Sequence, residues 1–162
     1  MAYKDLREYL AALETRGKLH HVKKEVDGDW EVAAVIRRVF QRLPPARRPA
    51  VMFERVKGFS IPVVAGILGA SPEVYALALE TTVDQIADKW AQAQSRPIPP
   101  VRVATGPVKD VILTGDRIDA TTLPLCRWTR DQDPAPYVTG PCVISQDPET
   151  GERNMGTYRL ML

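Results

Sequence analysis

The chain has 162 residues, which is enough for one domain of average size with a hydrophobic core. Its 22 basic and 20 acidic residues leave a net charge of +2, so the composition gives no electrostatic signal for nucleic acid or a membrane surface. The opening MAYKDLREYL has no apolar signal-peptide core, and no apolar run reaches the roughly 18 residues of a membrane-spanning helix. These features predict a soluble, cytoplasmic protein without nucleic-acid or membrane partners.

The cysteines and histidines give no sign of a metal site. Cys126 and Cys142 are too few for a disulfide framework and lack ligand spacing, so both are predicted to be buried thiols. His20 and His21 are adjacent on a predicted strand and point to opposite faces, which disfavours a shared metal ion.

The first part of the chain alternates helical and strand patterns. Leu6, Leu10 and Leu13 form one apolar stripe, which Gly17 is placed to end. Helices are predicted over Lys4–Thr15, from a cap at Asp29 to Leu43, from a cap at Ser71 to Leu79, and from Thr81 or Thr82 onwards; strands are predicted over Lys18–Val26, Ala50–Val56 and Ile61–Ile67.

A proline-rich connector, Ser95-Arg96-Pro97-Ile98-Pro99-Pro100, predicts a domain boundary. The expected organisation is an α/β domain over residues 1–98 and a β-rich domain over residues 99–162, which makes the fold class α+β. In the second domain, strands are predicted at Val101–Val103 and Val108–Leu113, with one helical turn at Asp119–Pro124.

The stretch from Tyr137 to Arg159, YVTGPCVISQDPETGERNMGTYR, predicts two strands joined by a tight turn at Asp147–Gly151. The returning strand carries an unusual concentration of polar side chains and small residues, and a threonine lies on the opposite strand. These residues are Asn154, Gly156, Thr157, Arg159 and, on the first strand, Thr139.

The spacing of Asn154 and Arg159 sets a geometric condition. They are five residues apart, so a regular strand would direct them to opposite faces. Both can face one pocket only if the strand is irregular, and Gly156 is the predicted place for a bulge or a tight backbone approach.

The ordered pattern PYVT, DPETGERNMGTYR resembles the UbiD family of reversible decarboxylases, which use prenylated FMN. The N-terminal MAYKDLREYLAALETRGKL and the run GDRIDATTLPL resemble that family too, so the resemblance covers essentially the whole chain. It covers only the front part of the longer family members. It implies that a split β-barrel carrying the flavin and the metal begins after the connector.

The resemblance implies roles for the polar residues of the hairpin. Asn154 corresponds to a metal ligand and Arg159 to the catalytic arginine; Thr139, Asn154, Gly156, Thr157 and Arg159 correspond to cofactor-binding residues. The implied cation is Mn²⁺ or Mg²⁺, which accept neutral oxygen ligands beside carboxylate and phosphate, and K⁺ is a further candidate. The alternative is a plain hairpin in which Asn154 is a turn residue and Arg159 is a solvated surface cation.

The activity implied is that of a carboxy-lyase, a reversible non-oxidative decarboxylase of α,β-unsaturated or (hetero)aromatic carboxylic acids. Its implied partners are the acid substrate, a flavin prenyltransferase that supplies the cofactor, and further copies of the protein in a homo-oligomer. The remaining metal ligands and the acidic residues that work with Arg159 are expected beyond Leu162, so the chain alone is expected to be inactive.

Two other functions stay open. One is a non-catalytic subunit whose barrel a partner chain completes, and the other is a flavin-binding module resembling split-barrel reductases. Asp131–Pro136 also differs from the glycine-rich segment that usually precedes the hairpin in the resembled family.

Overall fold

A computed structural model of the protein describes residues 3–162, which contain both helices and strands. The helices are α1 (Leu6–Thr15), α2 (Glu31–Arg42), α3 (Pro72–Ala78) and α4 (Ile86–Ser95). The strands are β1 (Leu19–Val22), β2 (Ala50–Phe53), β3 (Val63–Ala65), β4 (Tyr137–Val138), β5 (Cys142–Gln146), β6 (Arg153–Thr157) and β7 (Leu160–Met161). This mixture confirms the predicted α+β class, and the strands of residues 3–162 do not close into a barrel.

The strands form three small sheets. One sheet has the order β1-β2-β3, and the other two are the antiparallel pairs β4-β7 and β5-β6. Ala50 N–H donates to the carbonyl of Lys18 at 2.8 Å and Glu54 N–H donates to the carbonyl of Val22 at 3.1 Å. From the first bond to the second, the residue numbers rise by the same amount on both strands. β1 and β2 therefore run parallel.

The chain divides into two compact units. Among the described residues, the first comprises 3–20, 43–51 and 65–120, and the second comprises 21–42, 52–64 and 121–162. In the first unit, the core contains Tyr9, Leu13, Ala50, Ala70 and Val74. Leu6 is half-exposed instead, so the apolar stripe predicted for α1 is displaced, with Tyr9 and Leu13 as its buried residues.

The buried Tyr9 hydroxyl is satisfied inside the first unit. It donates to the carbonyl of Ile67 at 2.5 Å and lies 3.0 Å from the carbonyl of Val74. Burial raises the pKa of Tyr9 to about 12, because the phenolate would lose its hydration. The hydroxyl therefore stays protonated and anchors α1 to the segment that leads into α3.

Local capping chemistry explains where α1 and α3 begin and end. The Ser71 hydroxyl accepts the N–H of Val74 at 3.2 Å, and Pro72 occupies the first helical position, as predicted. Gly17 has a φ of +64°, a left-handed conformation that suits glycine, and it follows Arg16, the C-cap residue of α1.

The start of α2 differs from the prediction, which made Asp29 its cap. The Asp27 carboxylate accepts the N–H of Asp29 at 2.7 Å, and the Glu31 carboxylate accepts the N–H of Asp27 at 2.7 Å. Asp29 instead directs its carboxylate to Arg127, with 3.7 Å between Oδ1 and Nε. The Asp29 carboxylate therefore interacts with Arg127, which is distant in sequence, and does not cap the helix that follows it.

The strands predicted at Val101–Val103 and Val108–Leu113 are wrong. The described residues between α4 and β4 form short 3₁₀ turns, Pro107–Lys109, Gly115–Arg117 and Ala120–Thr122. A strand needs a neighbour to bond its backbone, and the apolar side chains of these two segments lie exposed instead. The last turn confirms the helical turn predicted before Pro124.

None of the helices in residues 3–162 has the length and apolar character that crossing a bilayer requires.

Candidate functional site

The hairpin turn forms as its residues predict. The Asp147 carboxylate accepts the N–H groups of Glu149 at 2.8 Å and Thr150 at 2.7 Å, and these bonds hold the pKa of Asp147 below its usual value. Gly151 has a φ of +73° and donates its N–H to the Asp147 carbonyl at 2.9 Å. The turn thus aligns β5 and β6 in antiparallel pairing.

The register of β5 and β6 determines which predicted site residues share a face. Asn154 lies opposite Ser145, and Gly156 lies opposite Val143. Thr157 lies opposite Cys142 and therefore belongs to the other face. Asn154 and Gly156 consequently lie on one face of the two-stranded sheet, and Thr157 lies on the other face.

Gly156 is not a bulge, because the β5-β6 register continues through it without a break. The close approach at Gly156 comes from a side chain and not from backbone: a Cβ at this position would lie 2.8 Å from Cζ and 2.9 Å from the hydroxyl oxygen of Tyr158. The φ of Gly156 is not in the left-handed region. The Tyr158 ring therefore covers Gly156, and a side chain at position 156 would require this exposed ring to shift.

The close approach predicts a coupling between the two residues. In the full-length protein, Gly156→Ala should displace the Tyr158 ring and lower the free energy of unfolding, while Tyr158→Ala should remove the conflict. We expect a coupling of about 0.5 kcal/mol or more in the double-mutant cycle, measured by denaturant unfolding. Gly140→Ala is the control, because a Cβ there meets no atom within 4 Å. Additive effects would contradict the packing of Tyr158 on Gly156.

The irregularity of the hairpin lies further along. Strand β4 pairs with β7 so that Tyr137 faces Met161 and Val138 faces Leu160. Between this pairing and that of β5 with β6, the three residues Thr139–Pro141 lie opposite the two residues Tyr158 and Arg159. One extra residue in one strand is the arrangement of a bulge. Two predicted site residues, Thr139 and Arg159, thus lie on opposite strands where the ladder is interrupted.

Arg159 contacts an aromatic ring and a carboxylate at this interruption. Its Cζ lies over the Tyr137 ring, 4.6 Å from the centroid, which is a cation–π geometry. Its Nη1 lies 4.0 Å from Oδ1 of Asp133. The Arg159 side chain is nevertheless 59% exposed, so part of the guanidinium is open to a ligand.

Asp133 organises the loop that leads into β4. Its Oδ2 accepts the N–H of Trp128 at 3.0 Å and the N–H of Thr129 at 2.7 Å. The sequence interpretation placed the acidic partners of Arg159 beyond the chain and did not consider Asp133. Asp133 lies four residues before Tyr137, but that spacing does not predict the loop conformation that brings its carboxylate to Arg159.

Thr139 lines a small pocket of about 250 Å³, mostly apolar. Its other lining residues are Val63, Val64, Pro124, Leu125, Cys126, Trp128, Tyr137, Val138 and Gly140. Burial, with lesser contributions from Asp29 and Asp27, raises the pKa of the Cys126 thiol to about 11, so it is a neutral buried thiol, as predicted. Cys142 was also predicted to be buried; that prediction is wrong, because it lies exposed on β5.

A larger, open cleft of about 540 Å³ lies beside the Asp133 loop and has charged walls. It is lined by Asp29, Trp30, Arg127, Arg130, Asp131, Gln132, Asp133 and Pro134. The lining carries three carboxylates and two guanidiniums, so no single sign of charge dominates. The sequence interpretation assigned no site to these residues.

Asn154 is exposed, and its cross-strand neighbour is the hydroxyl-bearing Ser145. Both are neutral oxygen donors, which suits one position in the ligand set of a hard cation. Across residues 3–162 no group of three or more His, Cys, Asp or Glu side chains is arranged to hold a metal ion. The donor chemistry of Asn154 therefore fits a metal ligand whose charged companions come from elsewhere.

Two families match the chain. Residues 10–94 match the 3-octaprenyl-4-hydroxybenzoate carboxy-lyase N-terminal domain, and residues 100–162 match the 3-octaprenyl-4-hydroxybenzoate carboxy-lyase Rift-related domain. A phenolic acid decarboxylase of Sedimentibacter hydroxybenzoicus is 34% identical over 171 residues, which cover 99% of this chain and 35% of that protein.

Solved structures agree with these matches. An evolved dimeric form of the UbiD-class enzyme HmfF from Pelotomaculum thermopropionicum, in complex with prFMN, has a TM-score of 0.84 and 36% identity, covering 98% of this chain and 36% of that one. The open form of Sedimentibacter hydroxybenzoicus vanillic acid decarboxylase with truncated ShVdcD has a TM-score of 0.80 and 34% identity, covering 97% and 35%. The chain thus spans about a third of the length of the relatives it matches. It belongs to the UbiD family.

Proposed function

We propose that the full-length protein is a prenylated-FMN-dependent, reversible, non-oxidative decarboxylase of α,β-unsaturated or (hetero)aromatic carboxylic acids. The observation that carries this proposal is Arg159, which rests on Tyr137 beside Asp133 and keeps part of its guanidinium exposed. A planar guanidinium offers two parallel N–H donors to a carboxylate. Membership of the UbiD family and similarity to an enzyme solved with prFMN support the same chemistry.

In this proposal, each polar residue of the hairpin has its own role in binding the substrate, the cofactor or the metal. Arg159 binds and orients the carboxylate of the substrate, while Thr139 and Thr157 offer hydroxyl groups to the cofactor. Asn154 supplies a neutral oxygen ligand to Mn²⁺ or Mg²⁺, and Gly156 keeps the strand free of a side chain beside it. Prenylated FMN, when bound, supplies the electron sink for the charge left by loss of CO2. K⁺ is a second cation that this site would accept.

The organisation of the complete protein is part of the proposal. We place the domain boundary near residue 98, supported by the separate family matches to residues 10–94 and 100–162. The protein would act in the cytoplasm as a homo-oligomer, with its cofactor supplied by a flavin prenyltransferase. Mass measurement of the native protein under non-denaturing conditions tests the oligomer.

Decarboxylation by the full-length protein is the direct test. The protein is co-produced with a flavin prenyltransferase and supplied with cinnamic, hydroxybenzoic and furoic acids, and CO2 release is measured. We expect release from at least one class of acid, dependent on the prenyltransferase. Release from none, with prenylated flavin bound, would overturn the proposal, and release only after a second polypeptide is added would favour the non-catalytic subunit. A protein that holds ordinary FMN and reduces it would favour the reductase-like module.

Residues 1–162 by themselves are expected to bind prenylated flavin weakly and to catalyse no decarboxylation. The cross-strand pair Ile144 and Met155 is 71% and 67% exposed, which is a large apolar surface for a hairpin without further covering. Asn154 also offers only one neutral oxygen, which does not offset dehydration of a divalent cation. The measurement is CO2 release and flavin content of the purified 162-residue chain beside the full-length protein. Turnover by the short chain would contradict this expectation.

A further inference from the structure

We propose that Asp133 is a positioning residue for Arg159, holding the guanidinium over Tyr137 with one edge free for the substrate carboxylate. This inference rests on the proposed function for its catalytic consequence. The contact itself is independent of that function, because it joins residues of this chain only.

Asp133 is held rigidly on one side. Its side chain is only 10% exposed, and Oδ2 accepts the N–H groups of Trp128 and Thr129 at 3.0 and 2.7 Å. Two backbone donors on one oxygen hold Oδ2 in place and restrict the orientation of the carboxylate. The second oxygen, Oδ1, then faces Nη1 of Arg159 at 4.0 Å.

Arg159 is held by contacts of two kinds. The ring of Tyr137 supports the face of the guanidinium at 4.6 Å, and Asp133 attracts one edge of it. An exposed arginine otherwise samples many rotamers, and fixing it before the ligand arrives removes part of the entropic cost of binding. A guanidinium has five N–H donors, so contact with Asp133 leaves donors for a carboxylate.

The other charged groups of the loop do not compete for Arg159. Arg130 lies 4.0 Å from Asp131, and Arg127 lies 3.7 Å from Asp29. Within residues 3–162, Asp133 is the carboxylate that the structure brings to ion-pair distance of Arg159.

The test is Asp133→Asn in the full-length holoenzyme. The asparagine oxygen can still accept the two backbone N–H groups, but the amide that then faces Arg159 carries no negative charge. We expect kcat/KM to fall about 10-fold with flavin content unchanged, a scale set by loss of orientation at the reacting group. Asp133→Glu, which restores the charge, should recover part of the loss. Asp131→Asn is the matched control, because that side chain is 90% exposed and pairs with Arg130.

A double-mutant cycle separates positioning from a structural role. If Asp133 acts through Arg159, Asp133→Asn should change kcat/KM less than about 2-fold when Arg159 is already lysine. The four proteins of the cycle are the unaltered protein, Asp133→Asn, Arg159→Lys and the double variant. The changes in their denaturation midpoints should also be non-additive, and this measurement does not need turnover. Equal effects of Asp133→Asn in both backgrounds would overturn the proposal. Non-additive midpoints in a protein that decarboxylates nothing would support the positioning role and reject the proposed function.

Discussion

Arg159→Lys in the full-length enzyme is expected to lower kcat by at least about 10²-fold while flavin content stays normal. Lysine keeps the positive charge but loses the planar fork that binds a carboxylate through two parallel hydrogen bonds. It also loses the flat surface that rests on the Tyr137 ring at 4.6 Å. The measurement is kcat and KM for one accepted acid together with flavin per protein.

Arg153→Lys is the matched control for this prediction. Arg153 lies on the same strand, opposite Gln146, and is exposed. The same chemical change there should leave kcat unaltered. Normal turnover by Arg159→Lys, with normal flavin content, would show that Arg159 is a surface cation of a structural hairpin.

Asn154→Ala is expected to remove metal and flavin together from the full-length protein. If Asn154 is a ligand of the divalent cation that neutralises the flavin phosphate, its removal would weaken the binding of both the cation and the flavin. Asn154→Asp should keep both occupancies, because a carboxylate oxygen is also a ligand for Mn²⁺ or Mg²⁺. The measurement is the metal and flavin stoichiometry of each purified variant.

Arg153→Ala supplies the control for the Asn154 variants. Arg153 is the preceding residue of β6, is exposed, and pairs with Gln146 on the other face of the ladder. The metal and flavin content of this control variant should match that of the unaltered protein. Full occupancy in Asn154→Ala would contradict the assignment of this hairpin as the cofactor site and favour a turn residue without a ligand.

Short-range chemistry explains what the sequence by itself determined. Asp147 and Gly151 form their turn, and Ser71 caps its helix, because each bond involves groups only a few residues apart. The α+β class follows from the same local periodicities, and the ordered hairpin pattern indicated the UbiD family that the comparisons show. The roles of Thr139, Asn154, Gly156, Thr157 and Arg159 stay predictions.

Only the tertiary structure decided where distant segments meet. The interruption of the ladder lies at Thr139–Pro141, and not at Gly156, because two separate pairings differ by one residue in register. The Asp29 carboxylate pairs with Arg127 and does not cap α2, and the segment Val108–Leu113 forms no strand, since each outcome depends on a partner far along the chain. Asp133 reaches Arg159 for the same reason: the loop bonds that hold its carboxylate and the fold of the returning strand together set a distance that residue spacing does not contain.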